Sequence, residues 1–388
     1  MTAAAETSGQ AATGDGRIPI ERIELLAYEI PTDGPDGKEA DGTLEWDSTT
    51  MVVVCVHAGG ETGLGYTYGP RACATLIEEK LAATLLGEDA LAVKERWLAM
   101  GESLRNAGRP GIGMMAVSAV DVALWDIKAR AHGLPLVDLL DRAHDGVPVY
   151  GSGGFCNYPL ERLQDQLAGW VGQGIPRVKL KTSRHPEEDP RRLAAVREAI
   201  GEEPELYTDA NGALSRKQAL AWAHRFREEW GVSWFEEPVS SADLEGLRFV
   251  REHGPPGLDI AAGEYVYVLR DAVNLLETDA VDCLQLDVTR CGGITGLIRL
   301  SGAADARSLD VSGHCAPQLS AHALCAVHRL RHLEYFHDHV RIETLAFDGV
   351  LEPTEGELRP DRSRAGHGLE LKRGDLEPYC VYQGESSR

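Results

Sequence analysis

Between residues 147 and 336 the chain repeats one pattern: a short apolar run ending on a polar residue, an amphipathic stretch, then the next run. The runs are VPVYGS, RVKLKTS, ELYTDAN, VSWFEEP, LDIAAGE, DCLQLD, LDVSGH and HLEYF. Helical stretches such as PRRLAAVREAI, RKQALAWAHRFREEW and AVNLLETD separate nearly all of them, and the unit falls short only before the last run. Eight strands in βα alternation predict a TIM-type barrel. From the second run onward the residues that are costly to bury are Lys181, Asp209, Glu236, Glu264, Asp287, His314 and Glu334, spaced 20 to 28 residues apart. In a barrel the C-terminal ends of the strands face a shared mouth. These seven side chains are therefore expected to converge although they are distant in sequence.

The barrel is assigned to residues 137–352. Before it, residues 18–136 read as an α+β unit, with RIELLAYEI and TTMVVVCVHAG as strands. Between those strands PTDGPDGKEADGTLEWD is too poor in apolar residues to bury itself and is expected to be a mobile loop. MMAVSAVDVALWDIKARAH has apolar residues at helical spacing, and Gly133 and Pro135 end it. Residues 353–388 are expected to return to the first unit. Residues 1–17 lack the basic and apolar regions of a signal peptide and read as a disordered tail.

Acidic residues outnumber basic ones 61 to 39, a net charge of −22. Such a surface repels phosphate backbones and anionic membranes, which argues against nucleic-acid and membrane partners. No apolar run is long enough to span a bilayer. The eight cysteines form no CxxC pair and several, such as Cys55 and Cys283, lie in apolar, strand-like contexts, so they are expected to be reduced and buried in a cytoplasmic protein. GLGYTYG is not a GxGxxG motif, GSGGF reads as a loop at the mouth, and no GxxxxGK[ST] or GxSxG is present.

Asp209, Glu236 and Glu264 come from three consecutive strands. Three anions in one pocket require a cation, and an all-oxygen set suits Mg²⁺. The bland alternative, three ordinary solvated acids, does not account for their matched positions. Asn211 is expected on the same strand face as Asp209 and would orient a ligand. Lys179 and Lys181 share the interior face, and their mutual repulsion near a metal is expected to lower Lys181 towards the range of a general base. Asp287 would fix the tautomer of His314 and raise its basicity. Glu334 is expected as a neutral acid donating to a developing oxyanion, or as part of a structural network.

The set VKLKTS, YTDANGAL, WFEEPV, AAGEY, LDVTRCGGITG and GHCAP, with the helix SAVDVALWDIKARAHGLPLVDLL, resembles the enolase superfamily, specifically its mandelate racemase subgroup. The resemblance runs from about residue 18 to the C-terminus. It implies an α+β capping domain on a modified (β/α)₇β barrel, one Mg²⁺ per subunit on Asp209, Glu236 and Glu264, and Lys181 as base on one face of the substrate. It implies His314, backed by Asp287, as acid or base on the other face, Lys179 on the substrate carboxylate and Glu334 on the enediolate. Arg290 stands where the racemase pattern has lysine, which argues against mandelate as substrate.

Removal of the proton α to a carboxylate leaves three enzymatic outcomes open: dehydration of an acid sugar, racemisation or epimerisation of a 2-hydroxy acid, and lactone cycloisomerisation. A catalytically inactive metal-binding scaffold is the non-enzyme alternative. The acidic loop, with Asp33, Asp36, Lys38, Glu39, Asp41, Glu45 and Asp47 and Trp46 as its one aromatic residue, favours a polyhydroxylated substrate. The resemblance also implies a symmetric homo-oligomer.

Overall fold

The computed structural model describes residues 16–387, so all but the end of the expected N-terminal tail lies outside the described residues. Strands β1 (Ile20–Pro31), β2 (Ser48–Ala58) and β3 (Glu61–Tyr68) form an antiparallel sheet. Ile23, Leu25, Val52 and Val54 pack on one face of it, in a cluster with α1 (Val93–Ser103) and α2 (Ile112–Ala131). Leu26, Tyr28, Met51 and Val53 pack on the other, in the cluster that continues into the barrel. Burial on both faces is why TTMVVVCVHAG is continuously apolar rather than alternating. Gly63 and Gly65 let β3 lie directly on α2, since a Cβ at either would fall 2.1 Å from the carbonyl oxygen of Ala123 or Ala119.

The barrel strands are β4 (Val147–Gly153), β5 (Arg177–Lys181), β6 (Glu205–Asp209), β7 (Val232–Glu236), β8 (Asp259–Ala262), β9 (Cys283–Leu286), β10 (Asp310–Gly313) and β11 (Leu330–Phe336). All neighbours are parallel, and β11 closes on β4. The short last unit holds only the helix Pro317–Leu324. Tyr150, Tyr207, Trp234 and His332 floor the interior; Tyr207 stacks on Trp234 at 5.6 Å and Tyr150 meets Tyr207 edge-on at 5.4 Å. Two residues further along each strand, on the same interior face, come the polar residues.

The two units are joined through α2. Ser118 Oγ accepts hydrogen bonds from the Gly292 and Gly293 N–H groups at 2.9 and 3.0 Å, and Asp121 Oδ2 accepts from Thr295 N–H at 2.9 Å. These are the unsatisfied first N–H groups of α3 (Gly293–Asp305), which a polar or anionic side chain stabilises. The chain end also returns: β12 (Cys380–Ser387) pairs antiparallel with β1.

The acidic loop is a correction to the expectation of mobility. It is folded onto the barrel mouth, with Glu39 and Ala40 fully buried. Polar contacts rather than apolar burial hold it. Cys156 N–H donates to Ala40 O at 2.7 Å, Asn157 Oδ1 accepts from Ala40 N–H at 3.1 Å, and Arg184 Nη1 donates to Leu44 O at 3.1 Å. All eight cysteines are free; seven are buried, and Cys380 is exposed. No helix among the described residues is long and apolar enough to cross a membrane.

Candidate active site

Above the aromatic floor the strand-end side chains form one network. Lys181 Nζ lies 2.6 Å from Asp209 Oδ2. Lys179 Nζ lies 2.6 Å from Glu236 Oε2, 2.8 Å from Glu334 Oε1 and 3.4 Å from Asp209 Oδ2. His314 Nδ1 is 2.8 Å from Asp287 Oδ2, and its Nε2 is 3.3 Å from Glu264 Oε2. Arg290 Nη1 donates to Glu264 Oε1 at 3.2 Å, and its Nε lies 3.5 Å from Asp287 Oδ2. β5, which carries Lys181, and β10, which leads to His314, are separated on the shorter arc by β11 and β4. The two candidate bases therefore approach the mouth from different sides.

A cavity of about 340 Å³ opens over this network. Lys181, Asn211, Glu264, Arg290, His314 and Glu334 line it from the barrel, and Trp46, Thr49 and Tyr68 line it from the cap. Trp46 Nε1 and Thr49 Oγ1 both donate to Asp338 Oδ2, at 3.2 and 3.3 Å, and so tie the cap to the start of α4 (His337–Ala346).

Asp209, Glu236 and Glu264 each pair with a cationic side chain of the protein itself: Lys181 at 2.6 Å, Lys179 at 2.6 Å and Arg290 at 3.2 Å. Two placements differ from expectation. Asn211 lies past the strand end at φ 45°, not on the strand face, with its N–H donating to Asp209 Oδ1 at 2.9 Å. Lys179 is fully buried and does not line the cavity, because its three carboxylate neighbours hold it beneath the mouth.

Burial and the protein's own charges set the direction of each group's shift. Burial lowers the pKa of Lys181, Asp209 raises it and Lys179 lowers it again; the net direction is upward, so in this arrangement Lys181 is a stable ammonium. Burial raises Glu334, but Lys179, His314 and Lys181 outweigh it and keep Glu334 ionised, not neutral. Burial lowers His314, yet Cys315, Glu264, Glu334 and the Asp287 hydrogen bond hold it well above its usual value. Burial and Asp209 raise Glu236 to about 7.

The donor set nonetheless suits a hard cation. Glu236 Oε1 and Asn211 Oδ1 are buried without a hydrogen-bond partner. Both are oxygens, the donors that Mg²⁺ prefers.

Sequence reasoning missed four wall residues. Cys315 follows His314 directly and was visible in GHCAP. Asp338 and His339 lie just past β11 and carried no signal beyond helix start. Tyr68, on β3, could be placed only by the docking of the cap. His339 stacks on Tyr68 at 3.4 Å and accepts from Ala316 N–H at 3.1 Å; burial lowers its pKa to about 3, so it is neutral.

Residues 162–375 match the family described as Enolase C-terminal domain-like, and residues 40–141 match the Mandelate racemase / muconate lactonizing enzyme, N-terminal domain. The chain belongs to the mandelate racemase/muconate lactonizing enzyme family of the enolase superfamily. It is 32% identical over 373 residues to a 3,6-anhydro-alpha-L-galactonate cycloisomerase of Streptomyces coelicolor, covering 91% of this chain and 97% of that protein. It is 32% identical over 341 residues to an L-talarate/galactarate dehydratase of Salmonella typhimurium, covering 86% and 84%. Among solved structures, a mandelate racemase/muconate lactonizing enzyme-like protein from Rubrobacter xylanophilus superposes with a TM-score of 0.91 at 58% identity, covering 94% of this chain and 100% of that one.

Proposed function

We propose that this protein is a Mg²⁺-dependent enzyme that removes the proton α to the carboxylate of an acid sugar and expels the β-hydroxyl as water, giving a 2-keto-3-deoxy acid. The observation that carries this reading is that Lys181 and His314, the latter backed by Asp287, line one polar cavity from different sides. One of them takes the α-proton and the other donates a proton to the departing hydroxyl. Asp287 accepts from His314 Nδ1–H and leaves Nε2 directed at the cavity. Arg290 positions Glu264 and Asp287 together. Lys179 holds Glu236 and Glu334 in place from below. Asp209, Glu236 and Glu264 would hold Mg²⁺, which would supply positive charge against the second negative charge that α-proton removal creates.

The named relatives include dehydratases of L-talarate/galactarate and arabinonate as well as cycloisomerases. Neighbouring structures from Salmonella typhimurium and Polaromonas hold Mg with L-glucarate. Cycloisomerisation is the second reading, favoured by the first relative described above, and it uses the same α-proton step. We also read the protein as a cytoplasmic homo-oligomer that acts on a small carboxylate, without nucleic-acid or membrane partners. Its net charge of −22 supports the last point.

The test is a 2-keto-acid assay with Mg²⁺ across aldonic and aldaric acids, together with Lys181→Ala, His314→Asn and chelation of the metal. A keto product lost in both variants and with chelator supports dehydration. α-Deuteration in D₂O without keto acid would move the assignment to racemisation. Ring opening of a sugar lactone or anhydro-sugar acid would move it to cycloisomerisation.

A further inference from the structure

Outside the Asp209, Glu236 and Glu264 set, two groups of side chains among the described residues have the separations of a coordination shell, and one of them, His314, Cys315 and Glu334, combines nitrogen, sulfur and oxygen donors. His314 Nε2 lies 3.4 Å from Cys315 Sγ and 3.5 Å from Glu334 Oε2, and Cys315 Sγ lies 3.2 Å from Glu334 Oε2. Tetrahedral zinc, with bonds of about 2.0–2.1 Å to N, about 2.0–2.2 Å to O and about 2.3 Å to S, sets its ligands roughly 3.4–3.6 Å apart. The three observed edges fall at or within about 0.3 Å of that range.

Further features make this a built site. Asp287 faces His314 Nδ1 at 2.8 Å, so Nε2 is the ring nitrogen turned towards the other two atoms and left to bind a cation. A carboxylate behind a histidine ligand is the usual support in zinc sites. Cys315 is held by its backbone: φ is 51° at Cys315 and 43° at Ala316, both in the left-handed region. Ser320 Oγ donates to Cys315 O at 2.8 Å, and Ala316 N–H donates to His339 Nδ1 at 3.1 Å. All three donor residues line the cavity, so a fourth coordination position is open to water or to a ligand.

We propose that His314, Cys315 and Glu334 form a second cation site, selective for a thiophilic divalent ion such as Zn²⁺ and distinct from the all-oxygen set. A thiolate and an imidazole favour zinc over magnesium. Coordination displaces the thiol proton of Cys315 and the Nε2 proton of His314. The consequence for catalysis rests on the function proposed above: an ion on Nε2 removes His314 from proton transfer, and zinc inhibits.

The site can be tested without turnover. Co²⁺ is titrated into the full-length Asp209→Asn protein, and into the wild type saturated with Mg²⁺, while thiolate-to-cobalt charge-transfer absorption in the near ultraviolet is followed. One equivalent giving the band in both proteins, reversed by Zn²⁺, lost in Cys315→Ser and kept in Cys380→Ser, is the expected result. Calorimetry should then show Zn²⁺ affinity lower by roughly 100-fold or more in Cys315→Ser, since even partners outside the shell are worth about 10–100-fold. No band in the wild type, or a band unchanged in Cys315→Ser, overturns the proposal. Should Cys315→Ser fail to fold, Cys315→Ala and the wild-type titration decide. A failed keto-acid screen leaves these readings untouched, so the two hypotheses fall separately.

Discussion

Replacing Asp287 by Asn tests the dyad while changing no volume. Its Oδ1 accepts from Thr289 N–H and Thr289 Oγ1, both at 2.7 Å, and its Oδ2 faces His314 Nδ1 at 2.8 Å. In Asp287→Asn the amide oxygen keeps the two Thr289 donors, so the NH₂ group turns towards His314. Nδ1 must then accept, and the neutral imidazole carries its proton on Nε2, where it can no longer take one. The same change of tautomer in a serine protease triad costs about 10⁴ in turnover, or about 5.4 kcal/mol at 1.36 kcal/mol per decade. Glu264 and Cys315 still approach Nε2 here, so a loss of about 10³–10⁴ in kcat with KM nearly unchanged is expected for keto-acid formation. α-Deuteration in D₂O separates the roles: if Lys181 is the base it survives in Asp287→Asn and disappears in Lys181→Met, and the pattern reverses if His314 is the base. Turnover within about tenfold of wild type, with imidazole ¹⁵N shifts showing an unchanged tautomer, would refute the reasoning.

Ser118→Ala strands the Gly292 and Gly293 N–H groups at the buried start of α3, and at about 1–3 kcal/mol per unmet donor it should destabilise the chain by about 2–6 kcal/mol in denaturant unfolding. An unchanged midpoint would show that water replaces the hydroxyl. Trp46→Ala removes the hydrogen bond to Asp338 and the edge contact with Phe155, together about 1–3 kcal/mol, and should raise KM roughly tenfold or more while kcat holds. His322 and His339 are held neutral by burial, each with a pKa of about 3, and burial also depresses His332. The unfolded chain takes up their protons as pH falls below about 6.5 and the folded chain does not, so stability present at neutral pH is lost at up to about 4 kcal/mol per pH unit. Melting temperatures flat from pH 7 to pH 5 would contradict this, and His322→Phe should flatten the slope by about a third.

The barrel was legible because its signal is periodic. Alternation placed Lys179 and Lys181 on one face, and the one-per-unit spacing placed Asp209 through Glu334 at one mouth. The cap strands were legible for the same reason. What the sequence could not convey was how charges settle once they meet. Two lysines at i and i+2 suggested mutual repulsion, yet the carboxylates arriving from β6, β7 and β11 reverse the sign for Lys181. Glu334 suggested a neutral acid until Lys179 was found 2.8 Å away. The acidic loop was misread because its anchors are backbone groups meeting Asn157 and Arg184, more than a hundred residues later.

That charge balance leads to the last prediction. Five carboxylates, Asp209, Glu236, Glu264, Asp287 and Glu334, meet four cationic groups, Lys179, Lys181, Arg290 and protonated His314. The sum is −1, and it is the reason both candidate bases are held in their protonated, non-basic forms. A divalent cation turns the sum to +1 and reverses the field that retains those protons. Binding of Mg²⁺ near pH 8 should therefore release about one proton per site. Calorimetry in buffers of different ionisation enthalpy measures this as a slope in the apparent heat. Asp209→Asn, which removes a ligand and the partner of Lys181 together, should abolish both binding and slope. Tight Mg²⁺ binding with a heat independent of buffer would mean that Lys181 and His314 reach their basic forms by some means other than the metal charge.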